Sequence, residues 1–86
     1  MPLTAYVVQL LYPDYMTDEY GTDYYCTTIK LMVEPGKERD IPIVNKVIEA
    51  AQEEIYEQYQ EDLNDKSDMK CFAVMYVKDG RIQFAY

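Results

Sequence analysis

The side chains that ordinarily perform covalent chemistry are nearly missing from this sequence. It holds no histidine, one serine (Ser67) and two cysteines, Cys26 and Cys71. Without an imidazole, neither a Ser-His-Asp nor a Cys-His arrangement can form. Two cysteines fall short of a four-ligand zinc site, and three scattered glycines build no phosphate-cradling loop. What the chain has is carboxylate: sixteen acids against eight bases, a net charge of −8. Paired carboxylates can hydrolyse a glycoside, but a chain this small has no second lobe to close a cleft. Asp14, Asp18, Glu19 and Asp23 crowd one segment, yet their spacing does not match a calcium-binding EF-hand loop. The expectation is therefore no enzyme, no metal and no cofactor.

The carboxylates carry a different message through their spacing. Glu49, Glu53, Glu57 and Glu61 recur every four residues, which on a helix stacks them into one ridge. No basic residue is interleaved, although like charges at that step destabilise a helix by roughly 0.2–0.5 kcal/mol per pair. Glu61, Asp62 and Asp65 also crowd the expected helix C-terminus, where the macrodipole favours cations. Such departures from local rules tend to mark function. The ridge is expected to bind a basic surface of another protein. Its charges lie about 6 Å apart along the axis, sparser than the phosphates of a nucleic-acid strand at ~3.4 Å, so alone it is a loose imitation of one.

A second acidic segment lies nearer the start. From Tyr12 to Tyr25 there are five tyrosines and four acids, with no Lys or Arg. Tyrosine offers large contact area at little rotamer cost and is enriched at recognition surfaces. Asp14, Tyr15, Asp18, Glu19, Tyr20 and Asp23 are therefore expected to join the glutamate ridge in contacting the partner. The net charge repels nucleic acid and anionic membrane alike, so direct binding to either is not expected. No apolar run approaches the length of a membrane span and no signal peptide is evident. A cytoplasmic protein, in a bacterial or host cell, is expected, with both cysteines as buried reduced thiols.

The elements that must position these groups follow from periodicity. At 86 residues the chain is read as a single domain, 1–86, with one modest core. Leu3 to Tyr12 is apolar on both alternating faces, the pattern of a strand interior to a sheet. Residues 24–33 alternate, with Tyr25, Ile29, Leu31 and Val33 on the apolar side. Pro35-Gly36 signals a turn. A helix is expected to start near Asp40, with Pro42 in its first turn, and to end near Asn64. Its apolar stripe is Val44, Val47, Ile48, Ala51, Ile55, Tyr59 and Leu63. Strands at 71–77 and 82–86 flank Asp79-Gly80, a pair suited to a type I′ hairpin turn. Counting outward pairs Val77 with Ile82, Met75 with Phe84 and Ala73 with Tyr86, and this set is expected to receive the helix.

The order β-β-α-β-β predicts an α+β fold, one helix packed on one face of a four-stranded, mainly antiparallel sheet. One helix covers one side. The other side, expected to bear Tyr24, Cys26, Phe72, Val74 and Tyr76, is apolar and is read as an oligomer interface. In size, acidity, tyrosine content and lack of a catalytic set, the chain is similar to the small inhibitors that phages use against host nucleases, including anti-CRISPR proteins and DNA mimics. The likeness is one of composition, and it implies an inhibitor that occludes a basic, nucleic-acid-handling surface. The alternative expectation is a homo-oligomeric assembly or accessory module, such as a homodimer joined through the open sheet face.

Overall fold

The computed structural model describes residues 2–13, 22–59 and 69–86, except the side chains at positions 13, 22 and 23. Strand β1 runs Leu3–Pro13, β2 Thr22–Met32, helix α1 Ile41–Gln58, β3 Lys70–Lys78 and β4 Arg81–Phe84. This is the expected β-β-α-β-β order, and the four strands form one antiparallel sheet in the order β2-β1-β3-β4. The two-sided apolar pattern of β1 is explained by its place between β2 and β3. Since β2 and β3 both run antiparallel to β1, they are parallel to each other, and α1 is the crossover that joins them.

Turn chemistry places the ends of the elements. Gly36, at φ 89°, occupies the third position of the Glu34–Lys37 turn, which the Lys37 N–H closes onto the Glu34 carbonyl at 3.0 Å. Asp79 and Gly80 both have positive φ, 53° and 73°, as a type I′ turn requires. The hairpin register is the expected one, Val77 opposite Ile82 and Met75 opposite Phe84. Pro42 lies in the first turn of α1, where its missing N–H costs nothing. Asp40 holds the N-cap position but makes no side-chain capping bond.

The core lies between α1 and one face of the sheet. Val44, Val47, Ala51 and Ile55 of α1 meet Tyr6, Val8, Leu10 and Tyr12 of β1, with Val74 and Tyr76 of β3. Tyr25, Ile29 and Leu31 of β2 pack at its edge. Tyr6 and Tyr76, opposite each other in the register, meet with ring centroids 5.6 Å apart at 53°, a tilted arrangement favoured by the ring quadrupoles. Polar bonds also tie the helix layer to the sheet. The Gln52 amide donates to the Met69 carbonyl at 2.9 Å, and the Thr27 hydroxyl to the Glu54 carboxylate at 2.7 Å.

Two expectations fail here. The helix face of the hairpin is the opposite one from that expected: Val74 and Tyr76 are buried beneath α1, at 0% and 4% exposure, while Val77, Ile82, Phe84 and Tyr86 are 59–66% exposed. The cause is register with β1. Val8 and Tyr6 face the helix, and they lie opposite Val74 and Tyr76, so strand alternation sends Met75 and Val77 outward. The helix also ends at Gln58, short of Asn64, because Tyr59 leaves helical geometry (φ −121°, ψ 34°) and its ring packs on Tyr25 at 4.9 Å.

Ile55, 2% exposed, sits where α1 meets the sheet. Ile55→Ala should cost about 2–5 kcal/mol, read from urea unfolding. A loss under about 1 kcal/mol would show that α1 is not docked as described.

Candidate interaction surfaces

Helical geometry sets where the glutamates point. Glu49 and Glu53 each lie two residues from the buried Ala51, about 200° around the axis, and Glu57 continues the line one turn on. All three are exposed, and none has an ion pair or side-chain hydrogen bond among the described residues. The last turn of α1 carries no basic residue. The ridge is thus an outward edge of three carboxylates on the roof of the molecule. Glu61 lies outside the described residues, as do Asp14, Tyr15, Asp18, Glu19 and Tyr20 and the side chain of Asp23.

The underside is chemically opposite. Residues alternate along each strand, so the sheet face away from α1 presents Leu3, Ala5, Val7 and Leu11 from β1, and Tyr24, Cys26 and Met32 from β2. From the hairpin it receives Met75, Val77, Ile82 and Phe84, followed by Tyr86. Leu3, Tyr24, Met32, Val77, Ile82, Phe84 and Tyr86 are all large and exposed. A groove of about 550 Å³ runs between Leu3, Val7, Met75, Val77 and Ile82. Among described side chains on this face the charged ones are Lys30 and Lys70, placed opposite Ala5 and Leu11. No described strand residue on it is acidic.

The expected oligomer-interface set therefore divides. Tyr24 and Cys26 lie on the open face and are exposed, whereas Val74 and Tyr76 belong to the core. Phe72 is exposed and has no partner in the β1–β3 register, which shifts between Gln9 and Leu10. Met75, Val77, Ile82, Phe84 and Tyr86 replace the lost pair. Their alternation was legible, but the side they face depends on a strand distant in sequence.

At one end of the sheet a polar group joins layers. The Tyr6 hydroxyl donates to the Glu38 carbonyl at 2.9 Å, and the Glu38 carboxylate lies 3.4 Å from the Lys78 ammonium. Its own backbone N–H, that of Gly36 at 3.2 Å and Lys78 hold the Glu38 carboxyl below the usual range. Burial, then the negative charge of Glu38, then Tyr76 push the Tyr6 phenol up to about 12. The arrangement anchors the segment entering α1, and no described nucleophile adjoins it.

Both cysteines are free, and they are not alike. Cys26 is exposed, which corrects the expectation of a buried thiol, while Cys71 is half-buried. Burial pushes the Cys71 thiol up to about 11, partly opposed by the Ala73 backbone N–H. A buried thiol with a raised pKa is a poor nucleophile near neutrality. Alkylation of the folded protein with iodoacetamide at about pH 8 should therefore modify Cys26 at least about tenfold faster than Cys71. Equal rates, read by peptide mass spectrometry, would contradict this placement. Among the described residues no group of acids and cysteines is arranged to hold a metal ion, and no helix is long and apolar enough to cross a membrane.

Comparison of the chain with protein-family models, with curated proteins and with solved structures gives no match in any of the three.

Proposed function

We propose that this chain is a non-enzymatic binding protein that works in the cytoplasm by association. Two copies join through the open sheet face, and the dimer presents its helix glutamates outward to a basic, nucleic-acid-handling surface of a partner protein. Occupying that surface would inhibit its owner, in the manner of the phage inhibitors and DNA mimics that the composition resembles. The observation that carries this reading is the opposed placement of two surfaces. An apolar sheet face whose described strand residues include no acid lies on one side, and glutamates without an ion pair among the described residues lie on the other.

A second copy is the occupant that charge and size favour. For a chain of net charge −8, close approach of two copies is opposed nearly everywhere by carboxylate repulsion. The sheet face is the broad exception. The molecule measures 45 × 21 × 18 Å, so its broad face is close to the ~800 Å² per partner that a standard interface uses. Two such faces packed about 10 Å apart would form a sandwich with the Ile82, Phe84 and Val77 side chains interleaved. The helices then lie on the two outer surfaces, each with its ridge accessible. Long-range attraction would steer a cationic partner onto these ridges and speed its association.

Two substitutions separate the halves of the proposal. Ile82→Asp puts a charge at an exposed position and should leave the monomer fold intact, while sedimentation equilibrium shifts from dimer to monomer. A wild-type chain that sediments as a monomer at high concentration would end the dimer reading. Glu53→Lys with Glu57→Lys should leave sedimentation unchanged but abolish capture of a basic partner from a host lysate, and undiminished capture would remove the ridge from the mechanism.

A further inference from the structure

The helix does not roof its whole side of the sheet. It packs chiefly on β2 and β1 and only marginally on β3, which leaves the helix-side positions of β4 and of the hairpin end of β3 open. The register places Tyr76 opposite Gln83 and Lys78 opposite Arg81 there. Arg39 reaches the same place from the turn that precedes α1. With Asp79 these residues line a cavity of about 490 Å³, within the roughly 300–1,000 Å³ typical of small-ligand sites.

The charges in this cavity run against the rest of the chain. Arg39 and Arg81 are the only arginines in the sequence, they lie 42 residues apart, and both line one cavity with Lys78. Lys78 and Arg81 are also direct cross-strand partners, and like charges in that relation destabilise a sheet. Glu38 relieves Lys78 in part, at 3.4 Å, but Arg39 and Arg81 have no ion pair among the described residues. A sequence with sixteen acids to distribute has placed one, Asp79, on this lining. Three cations held together without enough counter-charge are stabilised by an anion brought from outside.

We propose that this cavity binds the dianionic phosphate group of a small phosphomonoester. The two planar guanidinium forks fit oxyanion oxygens in bidentate fashion, and Lys78 adds a point charge. A carboxylate has one negative charge and two oxygens to share among these donors. A phosphate monoester has nearly two charges and three acceptor oxygens at neutral pH. Gln83 supplies a further amide donor. Tyr76, 4% exposed, closes the inner side of the cavity. The net charge of −8 opposes a polyanion such as a duplex and tolerates a small ligand. This site lies on the helix side of the sheet and does not rest on the proposed association.

The test is a titration of the isotopically labelled full chain with inorganic phosphate and with glycerol 3-phosphate, followed by amide NMR. It is run at about pH 7.5, where the ligand is a dianion, with chloride holding ionic strength constant. Saturable shifts should concentrate at Arg39 and from Lys78 to Gln83. Arg81→Gln and Arg39→Gln should each weaken binding about tenfold or more, the scale of losing a charged hydrogen bond. The exposed position of both arginines means that the variants should keep the dispersed spectrum of the folded chain. Arg81→Lys should rescue only part of the affinity, because it restores charge without the fork. Shifts that never saturate, an Arg81→Gln variant that binds like wild type, or acetate bound as tightly as phosphate would each overturn the proposal.

Discussion

The contact on which the molecule depends is the seating of Val44, Val47, Ala51 and Ile55 against Tyr6, Val8 and Leu10. An 18-residue helix is about 27 Å long, whereas the 11-residue strands beneath it extend about 36 Å. One such helix can dry one face of the central strands and no more. That limit produces the other surfaces: an apolar underside with no second layer among the described residues, and a hairpin end that the helix does not reach. The charge follows the same division. Carboxylates sit on the roof, apolar groups beneath, and the two arginines fill the gap at the side.

Polar contacts fix the seating more than they strengthen it. Tyr6 bonds the turn before α1, Gln52 bonds the entry to β3, and Thr27 bonds Glu54 over the edge strand. Each is worth about a kilocalorie per mole net, small beside the burial of Ile55 or Leu10, yet each links elements distant in sequence. Together they hold the helix over β2 and β1 and away from β4. The cavity beside β4 is therefore as much a product of this placement as the core is.

What the sequence disclosed was what is local. The Asp79-Gly80 turn, its register, the interior position of β1 and the start of α1 near Pro42 all rest on residues within one turn or one strand. The side of β3 that takes the helix does not. It is decided by pairing with β1, where Val7 meets Met75 across 68 positions. The apolar set of the hairpin pointed the wrong way because both faces of β3 are apolar, and the fuller one is left open. The expected helix runs past its observed end at Gln58 because Leu63 continues the three- and four-residue spacing beyond Tyr59. The convergence of Arg39 and Arg81 had no signal in spacing, since only folding brings them together. Of the glutamate ridge, three members stand as expected on the outer surface.

The irregularity between Gln9 and Leu10 has an effect out of proportion to its size. Side chains on a regular strand reverse at every residue, so Cys71 and Val74, three apart, ought to lie on opposite sides. With Phe72 left over as an extra residue, both pack toward the core. The strand thus changes phase partway along. Its first half and its second half obey separate alternation rules, joined at one position. A residue gained or lost there would turn one half over while the other kept its place. Position 72 therefore lets the margin of the core and the hairpin surface vary independently, within what is formally one strand.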